Sequence, residues 1–368
     1  MILPHSLADL KLFLQLNGLY IPPGLQEEIG ALHPPAFPSG IVYAYLHLGG
    51  RKTAIYALQN PRRGVANLVK GGFNRYLIDS EPDAFISFDR YEKLDGLSVD
   101  GMDFRTFSAI LPNGHLDYAA SHHCMYFEGD LQCKFCTIGD WTNATGPGRQ
   151  RIARAAKLAS GLYDGLHVAI TTGTLPSVDR GAEAILKLVA EFKRHDVPLP
   201  FSVEVEPVPD EYIERLRDSG ATTMLCNLEV LDDDVREYVM PLKGKIPFSA
   251  YERHWQKSVE VFGMNQVFTN ILLSPLDARF EASVERLERI TDLGVIPSLG
   301  PMRLDWTRPE IMRNIGLPRF DLMRDLHHAV TEMLTRKNLD PRHATAGCHR
   351  DGCYSALREY YEEAVANS

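Results

Sequence analysis

The strongest constraint on the fold of this chain is a rhythm that begins near residue 116. From there, short apolar runs of strand type alternate with helical stretches of ten or more residues. The strand runs are Leu116–Ala120, His167–Thr172, Phe201–Val205, Thr223–Leu228, Gln266–Leu273 and Val295–Leu299. Between them the pattern predicts helices over 149–160, 181–195, 209–219, 250–262 and 282–293. Two of these run into Gly220 and Gly294, the residue type expected just past a helix end. Apolar strands that each lead into a helix indicate a parallel sheet, buried on both faces, with right-handed crossovers. Six such units predict an α/β fold built on a partial (β/α)6 barrel over residues 116–320. Functional groups of such barrels collect at the C-terminal mouth of the strands.

The flanks have another texture. Residues 1–115 read as an N-terminal accessory α+β domain. Ser6 caps an amphipathic helix carrying Leu7, Leu10, Phe13 and Leu16, and Gly18 stops it. A passage with Pro22, Pro23, Pro34, Pro35 and Pro38 follows, then a strand over Ile41–Leu48, a turn at Gly49-Gly50 and a second strand over Thr53–Leu58. No catalytic motif falls in this region. Residues 321–368 read as a C-terminal extension, helical at first (Phe320–Arg336), which ends with a cysteine pair and a short helix.

Charge and cysteine usage narrow the function. With 39 Lys+Arg against 48 Asp+Glu in 368 residues, the net charge of −9 argues against nucleic acid as a partner. No run of eighteen apolar residues is present, so no membrane span is expected. The start MILPHSLADLKLF lacks the basic-then-apolar order of a secretory signal, and a cytoplasmic location is expected. In that setting the six cysteines, Cys124, Cys133, Cys136, Cys226, Cys348 and Cys353, point to metal rather than to a disulfide framework.

Cys124, Cys133 and Cys136 follow the first barrel strand directly, with eight and two intervening residues. Three thiolates on one loop can hold three irons of a [4Fe–4S] cube and leave the fourth iron open to an exogenous ligand. An enzyme has use for that open corner; an electron carrier does not.

On these residues the chain resembles the radical S-adenosylmethionine (radical SAM) superfamily. That family carries its three cluster cysteines in the loop after the first strand of a partial TIM-type barrel, often with an aromatic residue before the last cysteine, where Phe135 stands. Its first gap usually holds three residues rather than the eight found here. The segment Leu225-Cys-Asn-Leu-Glu-Val230 is similar to the Asn-His-Asn-Leu-(Asp/Glu)-Thr stretch of biotin synthase and lipoyl synthase. The run through Tyr238, Pro241, Lys243 and Gly244 has the texture of that branch too.

The resemblance covers roughly residues 116–300 and implies a function. A [4Fe–4S] cluster on Cys124, Cys133 and Cys136 would cleave S-adenosylmethionine to methionine and a 5′-deoxyadenosyl radical. That radical would take hydrogen from a small-molecule or cofactor-type substrate. The turn Thr172, Gly173, Thr174 would meet the methionine amino group, Asn227 and Glu229 the ribose, and the strand carrying Asn270 the adenine. Lys243, Lys245 or Arg303 could meet the methionine carboxylate. Flavodoxin or ferredoxin would supply the electron. The resemblance names no catalytic residue and no substrate.

Other readings stand beside these. The three cysteines could be a structural zinc site completed by His122 or His123, in a binding protein without redox chemistry. Cys348 and Cys353, with His349 between them, could be ligands of a second metal, a redox pair, a tail whose thiols approach the substrate, or free thiols. Cys226 reads as a core residue pointing opposite to Asn227. Glu204 and Glu206 share one strand face and either line the lumen or sit solvated at a strand end. Asp232-Asp-Asp234 reads as a helix cap, and Tyr126 and Trp141 as shields for the cysteine loop.

Overall fold

The computed structural model describes residues 6–32, 41–59, 66–79, 81–89, 91–127, 129–137, 148–276, 279–303, 310, 313 and 316–366. Trp141, Pro34, Pro35 and Pro38 lie outside the described residues.

The N-terminal region begins with α1 (Leu7–Asn17), capped by Ser6 Oγ accepting from the Asp9 amide and ended at Gly18, and continues with α2 (Pro23–Leu32). Five antiparallel strands follow: β1 (Ile41–Leu48), β2 (Arg51–Leu58), β3 (Leu68–Gly72), β4 (Arg75–Ile78) and β5 (Glu81–Ser87), in the order β2-β1-β5-β4-β3. The expected hairpin is therefore the edge of a larger sheet. α1 straddles two cores. Its Leu10 and Leu14 pack with Val42, Leu46 and Ile55 of the small sheet, and its Leu12 and Leu16 join the main core.

A short ribbon of β6 (Ser98–Val99) and β7 (Met102–Asp103) leads to β8 (Ile110–Leu111). β8 pairs antiparallel with β9 (His115–Ala119) at the edge of a curled seven-stranded sheet. The remaining strands run parallel and lie in chain order, each after a helix. They are, with those helices, α3 (Arg149–Leu162), β10 (His167–Thr171), α4 (Ala182–Arg194), β11 (Phe201–Glu204), α5 (Asp210–Asp218), β12 (Thr223–Leu225), α6 (Asp233–Val239), α7 (Phe248–Phe262), β13 (Val267–Leu273), α8 (Phe280–Asp292) and β14 (Ile296–Pro301). This is a partial (β/α)6 barrel, with one antiparallel strand that the periodicity does not announce.

Alternation along the strands sorts two faces. Leu116, Val168, Ile170, Val203 and Met224 are buried in the core against the helices. The opposite parity, represented by His115, Asp117, Ala169, Glu204 and Asn227, faces the lumen. Strand β12 stops at Leu225, earlier than its apolar run suggests, because side chains replace its ladder. Asn227 Oδ1 accepts from the Asn270 amide at 3.0 Å, and the Leu228 amide donates to Thr269 Oγ1 at 2.9 Å. The Asp232 carboxylate caps α6 as its sequence suggests, accepting from the amides of Asp234 and Val235. Cys226 is fully buried in the main core.

The chain then returns through α9 (Phe320–Arg336), α10 (Cys348–Asp351) and α11 (Leu357–Ala366). α1 packs against α9, α11 and β14, so the two ends of the described chain meet beside the last barrel strand. Lys11 of α1, fully buried, joins Glu359 of α11 at 2.9 Å and the Gly352 carbonyl at 2.6 Å. None of the described helices is long and apolar enough to cross a membrane.

Candidate functional site

The lumen opens into a cavity of about 310 Å³ whose wall includes Cys124, Cys133 and Cys136. The cysteine loop is pinned from several sides. The Met125 amide donates to the Thr174 carbonyl, the Lys134 amide to the Val239 carbonyl, and Gln132 Nε2 to the Cys136 carbonyl. Cys133 is buried among Val230, Val239, Leu272 and Met302, with Phe135 and Cys136 packed on the same apolar cluster. That covering keeps bulk water from Cys133, while Cys124 and Cys136 stay half-buried. Burial pushes the Cys133 thiol up to about 12; Lys243 opposes the shift and Cys136 adds to it. A metal entering here must therefore displace a proton.

Among the described residues, no three His, Cys, Asp or Glu side chains gather closely enough to hold a single metal ion. A [4Fe–4S] cube takes one thiolate on each of three corners and leaves the fourth open. The donor set, three soft sulfurs and an open cavity in front of them, suits the cube.

The turn after β10 is built against the cysteine loop. The Gly173 amide donates to the Ser121 carbonyl at 2.8 Å, and a Cβ on Gly173 would lie 2.2 Å from the His123 carbonyl oxygen. Glycine here serves first to let two backbones cross. Thr172, Gly173 and Thr174 all line the cavity.

Polar side chains on the neighbouring strands form a linked set. Asn227 Nδ2 donates to Glu204 Oε1 at 2.8 Å, while its oxygen holds the Asn270 amide, so Asn227 is braced between β11 and β13. Glu229 sits at φ +70°, a left-handed backbone that costs a non-glycine residue about 1–2 kcal/mol. Hydrogen bonds hold it there: its amide donates to the Asn270 carbonyl, and its carbonyl accepts from the Leu272 amide. The resulting position aims its carboxylate at Lys243 Nζ, 3.2 Å away. Burial and the Glu229 charge push the Glu204 carboxyl up to about 7. Tyr126 donates to Glu206 Oε2 at 2.9 Å. Two oxygens on this wall, Asn270 Oδ1 and Glu206 Oε1, are buried without a hydrogen-bond partner, which fits a polar ligand in front of them.

Of the three candidate cations, only Lys243 is both in the cavity and beside a lumen carboxylate. Lys245 is exposed. Arg303 reaches the cavity wall but donates to the carbonyls of Gln15 and Leu16 at the end of α1. Glu204 and Glu206 both face the lumen.

Sequence reasoning missed the floor of the cavity. His115 and Asp117, two residues apart on β9, point inward together, and that spacing was the available signal. Asp117 is buried enough that its carboxyl rises to about 6. His115 Nδ1 pairs with Asp351 of α10, so the C-terminal segment closes the lumen from below. That segment also carries Cys348, Cys353 and Tyr354 into the same cavity wall.

No protein-family model and no curated protein sequence matches the chain. Among solved structures it is similar to a radical SAM methyltransferase from Sphaerobacter thermophilus, at 14% identity over 86% of this chain and 80% of that one, with a TM-score of 0.45. It is similar to the FeFe-hydrogenase maturase HydG from Carboxydothermus hydrogenoformans, at 14% identity over 67% of this chain and 56% of that one, TM-score 0.42. It is also similar to coproporphyrinogen III oxidase (HemN) from Escherichia coli, at 16% identity over 61% of this chain and 53% of that one, TM-score 0.38. The chain spans only about half the length of the last two. Two of the three are named as radical SAM enzymes, the superfamily that the cysteine loop and the fourth barrel strand resemble.

Proposed function

We propose that the chain is a radical SAM enzyme of the cytoplasm, acting on a small-molecule or cofactor-type substrate. The observation that carries the reading is the meeting of Cys124, Cys133 and Cys136 with Thr172–Thr174, Asn227, Glu229 and Asn270 around one cavity at the mouth of a partial barrel. When bound, a [4Fe–4S] cluster and S-adenosylmethionine supply reductive cleavage to methionine and a carbon radical.

The chain's own residues do the rest. The three cysteines hold the cluster, and the apolar residues around Cys133 exclude water from that side of it. Asn270 Oδ1 accepts a hydrogen bond from the ligand's base, and Glu206 Oε1 from an amino or hydroxyl group; both oxygens are otherwise unsatisfied. Glu229 presents a carboxylate suited to a ribose diol, held in place by Lys243 and by its own constrained backbone. Lys243, through its remaining hydrogens, meets the ligand's carboxylate. A small one-electron donor, flavodoxin or ferredoxin, supplies the reducing electron.

The test is anaerobic reconstitution with iron and sulfide, then reduction by dithionite in the presence of S-adenosylmethionine. A brown protein that releases 5′-deoxyadenosine and methionine is expected, with colour lost in Cys133→Ala and Cys136→Ala. A colourless protein that takes up stoichiometric zinc overturns the reading.

A further inference from the structure

The reading above leaves the two C-terminal cysteines without a task, yet the chain fixes them with unusual care. The segment Gly347–Cys353 enters the barrel from below and is anchored at both ends. The Gly347 amide donates to His167 Nδ1 at 3.0 Å, and its Cα packs so tightly that a Cβ would fall 2.1 Å from Ser202 Oγ. His349 stacks on Phe268, with ring centroids 4.1 Å apart. Asp351 pairs with His115, and its carbonyl accepts from Asn113 Nδ2 at 2.7 Å. The Cys353 carbonyl accepts from the Tyr56 amide at 3.0 Å and from Gln15 Nε2 at 2.9 Å. A frayed tail needs none of these bonds.

What they achieve is the placement of two thiols. Cys348 and Cys353 both line the cavity that the cysteine loop faces. Between them, Gly352 at φ +70° turns the chain, its amide bonded to the Cys348 carbonyl at 3.0 Å. This αL turn after a single helical turn reverses the chain and brings Cys353 to the cavity wall that Cys348 also lines, close enough for the Cys353 thiol to feel the charge of Cys348. Cys348 is the more open of the two; Cys353 is buried.

We infer that Cys348 and Cys353 form a hydrogen-atom-donating dithiol on the cavity floor, in which Cys348 quenches a carbon radical and Cys353 takes up the sulfur radical left behind. The inference rests on the radical chemistry proposed above. The Cys348 S–H bond breaks homolytically and a C–H bond forms, leaving one unpaired electron on sulfur. Contact with the sulfur radical acidifies the Cys353 thiol, and only then does its proton pass to the Asp351 carboxylate, whose Oδ1 already accepts from the Cys353 amide at 2.8 Å. An S–S bond then forms with one surplus electron. A cluster held by Cys124, Cys133 and Cys136 would, in its oxidised form, accept that electron, and an external dithiol reductant would restore both thiols.

The surroundings suit hydrogen donation rather than metal binding or nucleophilic attack. Burial, with the Asp351 and Asp117 charges, holds the Cys348 thiol well above its ordinary range, and burial with Asp351 does the same for Cys353. A nucleophile or metal ligand needs a thiolate; a hydrogen donor needs the proton kept on sulfur.

The experiment uses the reconstituted protein with S-adenosylmethionine and dithionite in D2O, without added substrate. Thiol hydrogens exchange with solvent, so the radical is expected to be quenched by a Cys348 S–D bond, giving 5′-deoxyadenosine with one deuterium by mass spectrometry. Cys348→Ser should lower that label to background. Absence of any 5′-deoxyadenosine overturns the radical reading itself. Unlabelled 5′-deoxyadenosine from the native protein, or label retained in Cys348→Ser, overturns the donor role alone. A second readout needs no cluster. Trypsin cuts after Arg350, between the two cysteines. Metal-free protein oxidised with diamide should therefore yield peptides 343–350 and 351–358 joined by a disulfide. Failure of the two to join overturns the pairing.

Discussion

Gly173 lies against the carbonyl oxygen of His123, so that even a methyl group in its place would fall 2.2 Å from that oxygen. The glycine and the cysteine loop are thus one structural unit. Gly173→Ala forces the loop to move or the turn to open, at a cost of about 1–3 kcal/mol. Urea unfolding measures that loss, and the same variant should incorporate markedly less iron per chain on reconstitution. Thr174→Ala, which keeps the Thr174 carbonyl that holds Met125, should behave as the native protein in both assays.

Glu204 gives the site a pH signature. Burial raises its folded-state carboxyl from 4.5 to about 7, so between those values the folded chain holds a proton that the unfolded chain has released. Stability contributed by this group is present below pH 4.5 and is lost as the pH rises through 7. The unfolding free energy of the cofactor-free native protein, taken relative to Glu204→Gln, should fall by up to about 3 kcal/mol across that window. The amide oxygen of glutamine still accepts from Asn227, so the two proteins differ only in charge. A flat difference between pH 4.5 and 8 contradicts this.

Lys243 and Glu229 are a largely buried pair, with side-chain exposures of 14% and 12%. Removing one partner strands a charge, and Lys243→Met should cost about 3 kcal/mol. The double variant Lys243→Met/Glu229→Gln should recover most of that loss, because it leaves no charge behind. Additive losses in the double-mutant cycle would show that the pair is not coupled.

Gly347 combines a positive φ of 79° with a collision against Ser202. Gly347→Ala should lower stability by about 2 kcal/mol or more, and Ser202→Gly should fail to rescue it, since the backbone conformation itself resists a side chain. Complete rescue would assign the effect to the contact alone.

Much of the barrel was legible because buried parallel strands and amphipathic helices leave different periods in the sequence. The helix over Phe320–Arg336 and the caps at Ser6 and Asp232 read directly from local chemistry. The early end of β12 did not. Asn227 and Thr269 replace backbone partners with side-chain oxygens, and apolarity is blind to that exchange. The shape of the cysteine cavity was half legible. Cys124, Cys133 and Cys136 announced themselves by spacing, whereas His115, Asp117 and the segment around Asp351 are brought together by contacts more than two hundred residues apart in the chain. Long-range pairing of that kind has no local pattern. The small N-terminal sheet shows in the sequence only as a hairpin, because β3 exposes all but the first of its residues and β4 is only four residues long, so neither leaves a clear apolar alternation.

The floor of the cavity also has a place in time. The six parallel strands leave the ribosome in the order in which they lie side by side, so the barrel can grow by adding neighbours as it is made. Gly347–Tyr354 follows well after β14. Until it arrives, the cysteine loop overhangs a lumen open from beneath. The cysteine-bearing wall and the floor beneath it are therefore separate stages in the making of the cavity: the first needs only the strands and loops up to β14, and the second waits for the last wall to be delivered.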